Sequence, residues 1–273
     1  MMDKMILVSG LFWNDNTKDD ETVELELLWW LARYNNKFNY LNNTIIIFLE
    51  KPNSNIEYFL KENPNVIILY FNPYEEYKDL YNKIKKIYDN TDNDVVHEMG
   101  KTFYYNNIFL WLLKSNLVLE AHKHIIGKLP EEYHDSPLMW IDFGIRGNIH
   151  EGVTTLRRYK DDHRITMCHH GVLKRYNDDI VTEKQVMERY KAFINDKIPG
   201  YSVGSLMASS KLGWEWFNRE ITKLRDFFLN QDLLVDDDFL YDVIYVRTPQ
   251  MFDIVSKTDL RYPLDIMTEY LGK

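Results

Sequence analysis

The sequence is poor in the residues that mark several special classes of protein. One cysteine, Cys168, stands among 273 residues, so no internal disulfide can form and no oxidising compartment is indicated. Only 11 glycines and 8 prolines occur, which excludes collagen-like and linker-like chains. Apolar runs stay well short of the roughly 20 residues that a membrane-spanning helix needs. We therefore expect a soluble, cytoplasmic protein without a transmembrane segment.

Positive charge is also scarce. The chain has 33 Lys and Arg residues against 42 Asp and Glu residues, which gives a net charge of -9. Because a negative field repels a phosphate backbone, we do not expect a nucleic-acid partner. What the chain does have is 45% hydrophobic and 15% aromatic residues, enough to build a buried core. This composition predicts a folded, globular protein.

Two sequence signatures of common nucleotide-binding enzymes are absent. The chain contains no Gly-x-x-x-x-Gly-Lys-Ser/Thr loop of the kind that cradles phosphates, and no Gly-x-Gly-x-x-Gly follows the first predicted strand. These absences disfavour P-loop enzymes and dinucleotide-binding proteins of the common type. Any nucleotide site in this chain must be built differently.

Short apolar runs alternate with helical patterns in the first half of the chain. The runs predict strands at 5–12, 44–49, 66–71 and 138–143. Apolar residues spaced near 3.6 residues apart predict amphipathic helices at 21–34, 55–61, 75–88 and 101–124. This order is typical of βαβ units, and it predicts an α/β fold with a largely parallel central sheet flanked by helices.

The second half is less regular and more helical. We predict a short strand at 165–168 and helices at 182–195, 211–230, 236–246 and 250–256, the last one opened by Pro249. Thr182 and Gln185 have the spacing of a capping box. No internal repeat or linker is present. We therefore predict one domain over 1–273, in which a nucleotide-binding-like half at 1–145 leads into a substrate half at 146–273.

The most informative string is Leu-Met-Trp-Ile-Asp-Phe-Gly at 138–144. It reads as an apolar strand that ends in a carboxylate, Asp142, before a glycine turn. Ligands of parallel α/β sheets bind outside the carboxyl ends of the strands, so Asp142 is a candidate ligand for Mg²⁺ or Mn²⁺. The alternative is a strand-end aspartate that only caps the following turn.

Several other side chains have both a functional and a structural interpretation. Gly200 and Gly204 let a backbone approach a ligand closely, or they flank an ordinary strand. Asp237 and Asp238 lie at the start of a predicted helix. One of them is a candidate general base, and the alternative is that both are only favourable charges at the positive end of the helix. Lys114 is a counter-charge for a phosphate or a lysine with a solvated head group.

The histidines near Cys168 do not form a standard zinc motif. Neighbouring residues of a strand point to opposite faces, so His169 and His170 cannot both face one pocket from a strand. One of them remains a candidate metal ligand.

Taken in order, these strings resemble the HtrL/YibB-like family of glycosyltransferases. The opening strand and loop at 6–13, the lysine-bearing aromatic helix at 105–121 and the hexamer Trp-Ile-Asp-Phe-Gly-Ile at 140–145 match that family. The glycine-containing segment at 200–209 and the acidic pair followed by Pro-x-x-Phe at 249–252 are similar too. The chain differs in reading Trp-Asn-Asp-Asn at 13–16, and Gly144 stands where many such enzymes have a second aspartate.

The resemblance implies a GT-A type fold and an enzyme that moves a sugar from a nucleotide-sugar donor. It implies a UDP-sugar as donor, a hydroxyl of a glycan or glycoconjugate as acceptor, and Mn²⁺ or Mg²⁺ as cofactor. Three groups of residues follow: Ser9, Gly10, Phe12, Lys114, Trp140, Asp142 and Gly144 at the donor and its ion; Gly200 and Gly204 at the substrate; and Asp142, His169 and His170 at the metal. Asp237 or Asp238 is the candidate for taking the acceptor proton.

Three other functions compete with this interpretation. A non-catalytic protein of the same fold would bind a nucleotide sugar or a glycan without turning it over. A metal-dependent hydrolase would use the same acidic and histidine residues without an acceptor sugar. An interaction protein would use the abundant tyrosine and tryptophan as contact anchors.

Overall fold

The computed structural model describes residues 2–12, 38, 41–62, 64–91, 105–142, 145, 147–169, 182–196, 202–256 and 262–272. The predicted helix at 21–34 lies outside these residues. So do Gly144, His170 and Gly200, and His169 is described in its backbone alone.

The described first half contains β1 (Asp3–Lys4), β2 (Ile6–Leu11), β3 (Thr44–Leu49), α1 (Ser54–Lys61), β4 (Val66–Tyr70), α2 (Pro73–Glu76), α3 (Lys78–Asn90), α4 (Tyr105–Trp111), α5 (Lys114–Lys128) and β5 (Leu138–Ile141). The described second half contains β6 (Arg157–Arg158), β7 (Ile165–His169), α6 (Glu183–Asp196), β8 (Ser202–Ser209), α7 (Lys211–Leu229), α8 (Asp237–Arg247), β9 (Phe252–Ser256) and α9 (Pro263–Leu271). Single 3₁₀ turns lie at Glu131–Tyr133 and Pro249–Met251.

Within the described residues, seven strands form one sheet in the order β4-β3-β2-β5-β8-β7-β9. The strands β4, β3, β2 and β5 are parallel to one another, β8 runs antiparallel to its neighbours β5 and β7, and β7 and β9 are parallel. Strands from both halves of the chain therefore share the sheet. The predicted α/β class, with a largely parallel sheet flanked by helices, is confirmed.

The sheet is buried on both faces, as its continuous apolar strands predict. One face carries Val8, Ile46 and Trp140 and packs on a core that includes buried residues of α4, α5, α7 and α8. The other face carries Leu7 and Ile47 and packs with buried residues of α1 and α9. The alternation of side chains along each strand thus divides the apolar residues between two cores.

Most predicted elements are confirmed with shifted ends. The capping box at the start of α6 is present, because Thr182 N donates to Gln185 Oε1 at 2.9 Å and Gln185 N donates to Thr182 Oγ1 at 3.3 Å. The predicted helix at 101–124 is interrupted: α4 ends at Trp111 and α5 begins at Lys114.

The predicted helix at 250–256 is wrong. A 3₁₀ turn at Pro249–Met251 leads directly into β9, which pairs with β7 in parallel register from Ile165 opposite Phe252 to His169 opposite Ser256. A proline in the first turn favours either outcome locally, and the neighbouring strand decides for the extended one.

One helix was missed by the sequence analysis. Helix α9 begins at Pro263, and Tyr262 N donates to Asp265 Oδ2 at 3.1 Å across its first turn. Among the described residues, none of the helices combines the length and the apolar character needed to cross a membrane.

Candidate functional site

A buried lysine joins four separate elements at one edge of the sheet. Lys114 Nζ donates to Asp237 Oδ2 at 2.9 Å, to the Gly204 carbonyl oxygen at 3.1 Å and to Asp142 Oδ2 at 3.2 Å. A lysine ammonium has three N–H donors, and here all three have an acceptor. We call Lys114, Asp142, Gly204 and Asp237 the lysine cluster.

The topology of the sheet explains why these residues meet. Asp142 follows the last residue of β5, and its backbone N–H donates to the Ser205 carbonyl oxygen at 2.9 Å. Because β8 runs antiparallel to β5, Gly204 lies near the beginning of β8 at the same edge. Helices α5 and α8 begin there as well, at Lys114 and Asp237. Ligands of open α/β sheets bind at this edge.

Asp142 is held on both oxygens but remains open to solvent. Its Oδ1 accepts a hydrogen bond from Trp140 Nε1 at 2.6 Å, while Lys114 occupies Oδ2. The side chain is 30% exposed. Burial raises the pKa of the Asp142 carboxyl, although Lys114 and the Trp140 indole act in the opposite direction. The carboxylate is therefore oriented from within the protein and presented at the surface.

The acidic start of α8 places three consecutive carboxylates in three different surroundings. Asp236 caps the helix, since its Oδ1 accepts from Phe239 N at 2.8 Å. Asp237 faces Lys114, and Asp238 Oδ1 accepts from Gly204 N at 3.1 Å. The expected capping by these acids is thus performed by Asp236, which leaves its two neighbours for other contacts.

Negative charge is in excess around the ammonium. Burial lowers the pKa of Lys114, but Asp142 and Asp237 outweigh burial and raise it above its usual range, so the lysine stays charged. Burial, with the adjacent Asp237 carboxylate, raises the pKa of Asp236 to about 7 and raises that of Asp238 well above its ordinary value. Because these acidic groups lie close together and are buried, Asp236 and Asp238 hold their protons to a higher pH than an isolated aspartate does.

The Asp142 carboxylate fits a divalent ion whose other ligands are water and the phosphate of a bound substrate. Among the described residues no three His, Cys, Asp or Glu side chains are grouped to hold a metal. Asp142 keeps an unused lone pair on each oxygen, and Mg²⁺ is often bound through one or two carboxylates, water and a substrate phosphate. His169 reaches the same edge on β7, roughly 10 Å from β5 across β8. The Mn²⁺ or Mg²⁺ site stays a prediction.

Three residues in and after the first long strand, predicted to bind the donor, make contacts within the protein. Ser9 Oγ donates to the Ile141 carbonyl oxygen at 2.7 Å and so ties β2 to the end of β5. The ring of Phe12 lies where a side chain on Gly10 would be. These contacts support the strand end beside Asp142, and a role in donor binding stays a prediction for Ser9, Gly10 and Phe12.

Tyr241 belongs to the site and was missed by the sequence analysis. It is fully buried, its hydroxyl donates to Asp237, and burial raises its pKa well above the ordinary value. Tyr241 follows Asp237 by four residues on α8, a spacing that brings two helical side chains together. This spacing was the available signal.

The segment at 200–204 reads Gly-x-Ser-x-Gly, the spacing of the serine-hydrolase nucleophile elbow. In that elbow the serine lies on a sharp turn after a strand and before a helix. Here Ser202 is the first residue of β8, and the strand continues to Ser209. The structural context does not fit a serine nucleophile, and the interpretation of this segment as a strand is confirmed from Ser202 onwards.

Replacing Gly204 by alanine is expected to lower the free energy of unfolding by about 1–3 kcal/mol. The added methyl would lie 2.5 Å from a ring carbon of Tyr241 and 2.6 Å from Asp237 Oδ2. Gly127→Ala is the matched control, because nothing lies within 4 Å of the added methyl on helix α5. Urea unfolding measures both variants. Equal, small changes in the two would contradict close packing at Gly204.

Comparison with known proteins gives little beyond the geometry. No protein-family profile and no curated protein matches the chain. Among solved structures, the chain is similar to the crystal structure of mouse xyloside xylosyltransferase 1 in its apo form. The TM-score is 0.42 and the identity 11%, over 92% of this chain and 84% of that one. The resemblance to the HtrL/YibB-like family stays a prediction.

Proposed function

We propose that this protein is a glycosyltransferase of GT-A type that moves a sugar from a nucleotide-sugar donor, a UDP-sugar, to a hydroxyl of a glycan or other acceptor. The observation that carries the proposal is the lysine cluster, which joins the strand-end Asp142 to the acidic start of α8 at the carboxyl edge of the sheet. The resemblance of the sequence strings to a glycosyltransferase family supports it, since the same residues carry that resemblance.

In this reaction the protein supplies orientation and charge. Asp142, oriented by the Trp140 indole, would hold a divalent ion beside the diphosphate of the donor. Mn²⁺ or Mg²⁺ bound there would supply positive charge for the diphosphate leaving group. The partly exposed carboxylate at the start of α8 accepts the proton of the attacking hydroxyl. Lys114 keeps these carboxylates in place.

Donor binding is tested by thermal unfolding with UDP, UDP-glucose, UDP-galactose and UDP-N-acetylglucosamine, each with Mn²⁺ and with a chelator. A ligand at 100 times its Kd stabilises the folded state by about 2.7 kcal/mol, which corresponds to roughly 5 °C or more for a chain of this size. We expect one UDP-sugar to raise the Tm with Mn²⁺, and Asp142→Asn to lose this shift.

The matched control for Asp142→Asn is Asp135→Asn. Asp135 precedes β5 at the opposite edge of the sheet, and its side chain is 84% exposed. Its variant should keep the full ligand-induced shift. If no nucleotide shifts the wild type, Asp142 is a structural residue and the donor site does not exist.

A second candidate is a non-catalytic protein that binds the nucleotide sugar. It is favoured by Gly144 at the position where a second aspartate stands in many enzymes of this type. The two functions differ in turnover. Release of UDP together with a new glycosidic bond indicates transfer, release of UDP without a new bond indicates hydrolysis, and binding without release indicates the non-catalytic protein.

A further inference from the structure

Asp237 and Asp238 are neighbours in the sequence but lie in different surroundings in the folded protein. Asp237 accepts hydrogen bonds from the Lys114 ammonium and from the Tyr241 hydroxyl, and its side chain is only 8% exposed. Asp238 is partly exposed and accepts one hydrogen bond, from Gly204 N to Oδ1. Its Oδ2 makes no hydrogen bond with any described residue. Asp237 is therefore an internal anion, whereas Asp238 has an oxygen available to a ligand.

The contacts of Lys114 restrict what this lysine can do. Its side chain is 5% exposed, and its three N–H groups are directed at Asp142, Gly204 and Asp237. No N–H remains for a phosphate oxygen. The expectation that Lys114 is a direct counter-charge for the diphosphate therefore does not agree with its hydrogen bonds. Its ammonium instead connects the end of β5 with the start of α8.

Gly204 completes the arrangement from the backbone. Its carbonyl oxygen accepts from Lys114, and its N–H donates to Asp238. A single residue of β8 therefore relates the position of the ammonium to the position of the Asp238 carboxylate. Displacing Lys114 would remove the hydrogen bonds of its ammonium to Asp237 and to the Gly204 carbonyl oxygen.

We propose that Lys114 is a positioning residue that holds Asp142 and Asp237 in place, so that Asp238 is the carboxylate left to accept the acceptor proton. This inference rests on the proposed sugar transfer. In that step the acceptor oxygen forms a bond to the anomeric carbon, and the bond from that carbon to the nucleoside diphosphate breaks. The electron pair leaves with the diphosphate, and the hydroxyl proton moves to Asp238 Oδ2. No oxidant or reductant is required.

The test compares Asp238→Asn, Asp237→Asn and Lys114→Arg with wild type in a UDP-release assay. The probes are UDP-glucose, UDP-galactose and UDP-N-acetylglucosamine with a panel of monosaccharide and disaccharide acceptors. General base catalysis contributes about 10²- to 10⁴-fold, so Asp238→Asn should lower kcat by that factor while UDP still shifts its Tm as in wild type. The fall of kcat at acidic pH, which we call the acid limb, should disappear in Asp238→Asn. Within the described part of the chain, the titratable groups that face Asp238 are Asp236, Asp237, Lys114 and Tyr241.

The other variants separate positioning from chemistry. Asp237→Asn keeps an oxygen for Lys114, so it should lower kcat less than tenfold and keep the acid limb. Lys114→Arg keeps the positive charge but replaces the ammonium by a larger, planar guanidinium. It should lower kcat about tenfold or more with less than a threefold change in KM for the donor. Asp135→Asn is the matched control, because Asp135 precedes β5 at the opposite end of the strand and its side chain is 84% exposed, and its kcat should stay within threefold of wild type.

Two results would overturn the inference while the proposed function stands. One is an Asp238→Asn variant with wild-type kcat and an intact acid limb. The other is an Asp237→Asn variant that stays folded and loses kcat more than Asp238→Asn does. If no UDP-sugar binds to or reacts with the wild type, the proposed function fails and this inference fails with it.

Discussion

Lys114→Met is expected to lower the free energy of unfolding by about 3–5 kcal/mol, the usual cost of removing one partner of a buried ion pair. Methionine keeps the apolar stem of the lysine but leaves Asp142 and Asp237 without the ammonium that both contact. The Asp237 carboxylate, only 8% exposed, would then be buried without compensation. Urea unfolding at pH 7.5 measures the loss.

Lys123→Met is the matched control on the same helix. Lys123 is 70% exposed and its ammonium lies 2.6 Å from Glu120 Oε1, so its replacement should change the free energy of unfolding by less than about 0.5 kcal/mol. The loss in Lys114→Met should shrink as the pH falls, because burial raises the pKa of Asp142 and the variant lacks the ammonium that opposes this rise. A change below about 1 kcal/mol at pH 7.5 would show that the ammonium does not hold the site together.

Asp236→Asn is expected to stabilise the protein at alkaline pH. The pKa of Asp236 is about 7 in the folded chain against an ordinary value of 3.8. Between these values the folded state binds more protons than the unfolded state. Stability from this group therefore decreases as pH rises, at up to about 1.4 kcal/mol per pH unit. Asparagine removes the charge and retains the cap, so the variant should gain on the order of 2–4 kcal/mol at pH 8 and little at pH 4.

The measurement is urea unfolding at pH 4, 5, 6, 7 and 8, with Asp236→Ala as the control. Alanine also removes the charge but cannot accept the hydrogen bond from Phe239 N. Its stability should follow the same pH dependence as Asp236→Asn and lie about 1 kcal/mol lower throughout. If the free energy of unfolding depends on pH in the same way in the wild type and in both variants, Asp236 is already ionised at neutral pH in the folded protein.

The sequence predicted the fold where local pattern and burial agree. The strand at 44–49 is an uninterrupted apolar, β-branched run, and the structure has it with the same bounds. The helix predicted at 250–256 failed because its first turn is compatible with either structure, while pairing with β7 is a long-range effect. Helix α9 was missed although Pro263 opens it, because its flanking residues gave no further signal.

The sequence indicated the residues of the site but not the contacts between them. The sequence indicated Lys114, Asp142 and the acidic pair one at a time, each with a structural alternative. Their contacts depend on β8 entering beside β5 in the antiparallel direction, which no local pattern in 200–209 specifies. Without that neighbour, the sequence could not show that Lys114 contacts carboxylates, or that Asp237 and Asp238 face different surroundings.

The lysine cluster also has a consequence for folding. Its hydrogen bonds connect residues separated by 28, 90 and 123 positions in the chain. Closing such long loops costs chain entropy before any contact is gained, so structure rich in distant contacts forms slowly. The ammonium can meet its three acceptors only after β5, β8 and α8 have come together. During synthesis, this edge of the sheet therefore stays unassembled until α8 has been made, and a nascent chain that ends before Asp237 carries Lys114 without the carboxylate nearest to its ammonium.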